Sequence, residues 1–153
     1  MLYEHTVTLF NRYKSKVTGD MWYPTVLRNV HINVDKSAII AKYGAESQDN
    51  AVLNVHYQTV EGVKTISGKP WKPPKEWAAQ TNDLLPGSLT FADGNDFDFF
   101  WWGEWPDEKP ISDDAYGIDG FYDYMNRRND YVFAITSVGG PYTVLPTFVI
   151  MGK

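Results

Sequence analysis

The chain of 153 residues contains no cysteine. Disulfides, thiolate metal sites and cysteine nucleophiles are therefore excluded. No apolar run approaches the roughly 20 residues that a membrane helix requires. No charged segment with an apolar stretch behind it opens the chain, so no signal peptide is read. Positive charge is scarce: 14 Lys and Arg stand against 19 Asp and Glu, a formal net charge of −5. That balance does not suit wrapping a phosphate backbone; it suits plain solubility. P-loop, dinucleotide fingerprint and nucleophile elbow are all missing. Internal repeats and low-complexity tracts are missing too.

Aromatic residues, in contrast, make up 16% of the chain. They read first as core filler of a β domain and second as interface residues. HTVTLFNRY (His5 to Tyr13) predicts a strand that turns at Thr18-Gly19-Asp20. WYPTVLRNVHINV (Trp22 to Val34) predicts the returning strand. Its alternation places Val26, Val30, Ile32 and Val34 with Arg28 on one face and Thr25, Leu27, Asn29, His31 and Asn33 on the other. Pro24 belongs at a strand start, a bulge or an edge, because it cannot donate to the ladder. A third strand spans Val52 to Gln58, with Leu53, Val55 and Tyr57 sharing a face.

Residues 35–50 and 59–87 read as long loops, the second with a helical turn at Pro74 to Ala79. Trp71 and Trp77 pin this excursion to the body. Ser88 to Ala92 and Phe97 to Trp102 read as a hairpin across Asp93-Gly94-Asn95. Ser112 to Asn126 reads as the one good helix, capped by Ser112, with an apolar stripe of Ile118, Phe121, Tyr122 and Met125. Tyr131 to Val138 and Val144 to Met151 read as two last strands around Gly139-Gly140-Pro141. The whole is one mainly β domain: a small barrel or sandwich of six to seven strands with one packed helix and long loops.

Candidate chemistry is sparse. His31 and His56 fall on polar strand faces and can be neighbours, but nothing in their spacing selects a metal over solvent. A calcium loop started at Asp93 fails, since Phe97 and Asp98 occupy its fifth and sixth positions. Glu104 lies between Trp102 and Trp105 in WWGEW. A carboxylate among indoles can act as a raised-pKa general acid, or the indoles can stack on a sugar. That glycan- or ligand-binding site is the alternative function. Neither enzyme activity nor a cofactor is expected.

The blocks TVTLFNRY, WYPTVLRNVHI, AKYGAESQDNAVLNVHY, PPKEW, LTFADGNDFDFFWWGEW, FYDYMNRRNDYVFAITSVGGPY and LPTFVIMGK resemble small uncharacterised minor virion proteins of phages and prophages of Gram-positive hosts. The opening strand pair is similar to that of head-closure, or stopper, proteins of the head–tail connector. The resemblance implies a structural subunit that acts by forming a ring. Its partners would be copies of itself and neighbouring portal, adaptor or tail proteins. DNA would be passing cargo only, no membrane would be involved, and the location would be the virion, after synthesis in the host cytoplasm. It carries over no catalytic residue. The closing PTFVI lacks the histidine and acidic residue expected near Thr147 and Val149, so that segment is given no role. An acidic channel lining would let DNA pass without sticking. Ile39, Ile40, Trp71 and Trp77 are the candidate interface residues, read as apolar groups exposed on polar loops.

Overall fold

The computed structural model describes residues 3–34 and 50–153. The expected loop at 35–50, with Ile39 and Ile40, lies outside the described residues apart from Asn50. Six antiparallel strands close a barrel: β1 (His5–Tyr13), β7 (Phe99–Trp101), β9 (Val132–Tyr142), β10 (Thr147–Gly152), β3 (Ala51–His56) and β2 (Met21–Val34), which returns to β1. A seventh strand, β8 (Ile111–Ser112), pairs with the start of β2. Helical residues are 15% of those described, as expected of a mainly β domain.

The interior follows from period-two alternation. Val7, Leu9, Leu53, Val55, Phe100, Phe133, Ile135, Phe148 and Ile150 all point inward and are buried. On β1, β7 and β9 several outward residues are apolar and buried as well. Phe10, Phe99 and Val132 pack outside the barrel with Trp22, Phe121 and Met125. These strands are buried on both faces, which explains the unbroken apolar run at 99–102.

The second strand departs from the predicted alternation. Asn29 adopts φ +57°, and the β1–β2 register slips between His5↔Val30 and Val7↔Leu27. This bulge adds one residue and flips the phase. Leu27 therefore enters the core beside Val30 and Ile32, while Val26 is only half-buried. Pro24 sits opposite Phe10, where β3, which pairs only with residues 31–34, leaves that edge of β2 open. The expected edge position for the proline is met.

The predicted loop at 59–87 is built structure. Strands β4 (Gln58–Val60), β5 (Val63–Ile66) and β6 (Lys69–Pro70) form a small antiparallel sheet. Its two turns, Glu61-Gly62 and Ser67-Gly68, carry paired positive φ values, as two-residue hairpins of type I′ require. The sheet lies along the open edge of β2: Arg28 N donates to Ser67 Oγ, and Lys69 Nζ donates to Thr25 Oγ1 at 3.0 Å. Helix α1 (Pro74–Ala78) follows. Trp77 is buried with Tyr23 and Leu85. Trp71, Tyr57 and Phe91 gather on Phe148 at centroid distances of 5.0 to 5.4 Å.

Three further expectations are corrected. Residues 88–92 and 97–102 form no strand ladder, although Asp98 N donates to Ala92 O; β7 inserts between β1 and β9 instead. The turn between β9 and β10 falls at 143–146, and Gly139-Gly140-Pro141 lies within β9. The predicted helix at 112–126 is broken. A 3-10 turn at Asp113–Tyr116 ends at Gly117, and helix α2 (Gly120–Arg128) begins separately, both glycines at φ +86°. Few L residues adopt that conformation. Ile118 consequently leaves the apolar stripe and is fully exposed, while Phe121 and Met125 stay buried.

Candidate functional site

The WWGEW segment is fastened to the barrel by Thr8, fully buried on β1. Its hydroxyl donates to Gly103 O at 2.8 Å and accepts from Trp105 N at 2.9 Å. A side chain at Gly103 would collide with the Trp101 ring, so the segment needs glycine there. The flanking indoles then diverge. Trp102 packs on the interior cluster and meets His5 and Tyr131. Trp105 packs on Phe10 and Phe121 in the helix-covered cluster. Glu104 is exposed and pairs with Arg28 at 2.7 Å. That hydrogen bond, then the Arg28 charge, holds its carboxyl below the usual value, the reverse of what a general acid requires. Trp102, Glu104 and Trp105 therefore do not line one stacking groove.

A different arrangement is brought together. Six partly exposed rings run in contact: Tyr131, Trp102, His5, His31, Tyr3 and His56, with successive centroids 5.3, 5.0, 5.4, 6.3 and 3.9 Å apart. His31 and His56 lie on adjacent strands, as expected from their polar faces, with Tyr3 resting against both. His5 Nδ1 accepts from Ile32 N at 3.2 Å. Among the described residues, no group of three or more His, Asp or Glu side chains is placed to hold a metal ion.

The interface expectation is corrected at Trp77, which is 1% exposed and donates Nε1 to Ser88 O. Trp71 is half-buried against Phe148. Neither is the exposed apolar group that was anticipated, although both pin the excursion to the body. The exposed large apolar groups among the described residues sit elsewhere: Val17, Leu84 and Ile118 lie on separate segments, Tyr131 ends the run of rings, and the other five cluster. The β9–β10 tip carries Tyr142 at 51%, Val144 at 94% and Leu145 at 72% exposure. The β4–β5 turn carries Val60 and Val63, about half exposed. Tyr57 ties the two hairpins: its N–H donates to Pro146 O and its hydroxyl to Tyr142 O. Sequence reasoning missed the tip because Val144 and Leu145 read as strand residues; Pro146 behind them was the available signal.

An open cavity of about 540 Å³ lies between α2, β9 and the Asp93–Phe97 turn. Phe97, Tyr122, Ala134, Ile135, Thr136, Gly94 and Lys153 line it. Burial, then the Asp123 charge, pushes the Tyr122 phenol up to about 12, so it is neutral near pH 7. Beside this region Asp98 is fully buried. It accepts from Asn11 Nδ2, Arg12 N and Ala92 N at 2.8 to 3.0 Å. Burial pushes its carboxyl up to about 7 despite these donors and the Arg12 charge.

No curated protein and no solved structure matches the chain. Residues 2–151 match a family described as "Family of unknown function (DUF6751)". The match spans nearly the whole sequence, and the chain belongs to that family.

Proposed function

We propose that the protein is a structural subunit that works by assembly: a connector or stopper-like component of the head–tail joining region of a phage virion. The observation that carries this reading is the cluster formed by five of the nine exposed large hydrophobic side chains among the described residues. Tyr142, Val144 and Leu145, with Val60 and Val63, stand on two linked hairpins, and a closed barrel backs them. Exposed apolar groups on a rigid frame are what a subunit offers to a neighbour. The sequence resemblance supplies the virion context. In a ring each copy presents one surface to a different surface of the next, and the angle between them decides closure. Copies of the chain and adjacent portal, adaptor or tail proteins are the partners in this reading, and no cofactor takes part.

Deletion of the gene from its phage, followed by electron microscopy, tests the role. Leaky or tailless DNA-filled heads are the expected outcome. Normal virions would refute it.

A further inference from the structure

We propose that the β9–β10 tip of one copy seats its Val144-Leu145 pair in the cavity between α2 and β9 of the next copy. This inference rests on the assembly reading and names the contact that would carry it. The tip is uncharged from Tyr142 to Pro146, and its two aliphatic side chains are among the most exposed apolar groups described. The cavity offers apolar walls of Phe97 and Ala134 with the neutral Tyr122 phenol. Its volume of about 540 Å³ falls within the several hundred Å³ usual for seating a compact apolar group.

Geometry directs the tip to another molecule. Ala134, in the cavity, and Tyr142, at the root of the tip, both lie on β9. At about 3.3 Å per residue they stand roughly 25 Å apart, so a tip cannot fold into its own cavity. The two surfaces differ, which makes the contact heterologous and propagating. Charge agrees with a second copy as the occupant. Asp93 and Asp123 adjoin the lining residues Gly94 and Tyr122. Lys64 stands 5.9 Å over the ring of Tyr57, whose hydroxyl holds the tip at Tyr142. A docked tip brings that ammonium toward the acidic rim. Lys153, in the cavity wall, is the one like charge it meets among the lining residues. A five-residue tip is far smaller than the roughly 800 Å² per partner of a stable interface. The contact is therefore weak alone and populated at high concentration or on a template.

The cysteine-free chain gives a clean test. Leu145→Cys and Ala134→Cys proteins, each first shown by circular dichroism to be folded, are mixed at high concentration under mild oxidation. A 145–134 cross-link in the mixture, exceeding either symmetric product, is expected, and the double variant should give a ladder of oligomers. Adding Val144→Asp to the tip should abolish both. Symmetric 145–145 dimers alone, or no cross-link, would overturn the contact. The same double variant, built into virions, separates the two claims. Rings without a 145–134 bond reject this contact and leave the assembly reading standing; normal virions after gene deletion reject the assembly reading itself.

Discussion

Asp98 is the residue whose environment has the clearest measurable consequence. It sits in the core of the β1–β7 junction and holds the 88–98 segment to Asn11 and Arg12. Its folded pKa, about 7, stands above the ordinary 3.8. Between those values the folded protein keeps a proton that the unfolded chain has released. This part of the stability is complete below pH 4 and declines as pH rises toward 7, with no further change above. Asp98→Asn should flatten that dependence in urea unfolding followed from pH 4.5 to 8. At pH 8, where that contribution is already gone, the variant should still be less stable by about 1–3 kcal/mol, because an amide places its oxygen on only one side and leaves a buried donor unpaired; the gap should widen as pH falls. An unchanged pH slope would refute the assignment. Nothing in the sequence marked Asp98. In GNDFDFFWW it reads as one more solvated carboxylate, and only the insertion of β7 between β1 and β9 buries it. Glu104 shows the opposite: its indole neighbours suggested a buried acid, yet both indoles turn away and leave it exposed beside Arg28.

At the scale of elements, the break before α2 shows how a cap can come from outside a helix. The sequence pointed to Ser112 as the cap of one long helix. The glycines at 117 and 120 break it, and Ser112 makes no capping bond. Asp113 takes over: Oδ1 accepts from Phe121 N, in the first turn of α2, at 2.8 Å and from Trp22 Nε1 at 2.9 Å. One carboxylate thus satisfies an orphan helix donor and fixes the indole against which the helix packs. Asp113→Ala should cost about 1–3 kcal/mol, read as a lower urea midpoint at unchanged slope. Equal stability would show that the bridge is dispensable. The apolar stripe was legible because Phe121 and Met125 obey helical spacing. The break was not, since glycine within a periodic segment reads as a weak helix residue until its φ is known. The same blindness hid the bulge at Asn29, because strict alternation leaves no place for an extra residue.

For the whole molecule, the sequence revealed a barrel or sandwich but not closure. Closure depends on β1 pairing with both β2 and β7, and no local pattern reports a contact some 90 residues distant. It also misread 59–87 as loop, because the short exposed strands β4 to β6 have little alternation. Closure predicts a hierarchy in hydrogen exchange. Amides of β1, β2, β3, β9 and β10 should exchange only through global opening, and those of β4 to β6 should exchange faster through local opening. Uniform protection would contradict it. The most direct test of the central claim, that this chain works as an assembling structural subunit of a virion, is cryo-electron microscopy of purified virions from a phage carrying its gene. The account predicts copies of the six-stranded barrel repeated around the axis where head meets tail, with the β9–β10 tips directed at their neighbours. Virions that are complete at that junction without any copy of this chain would contradict it.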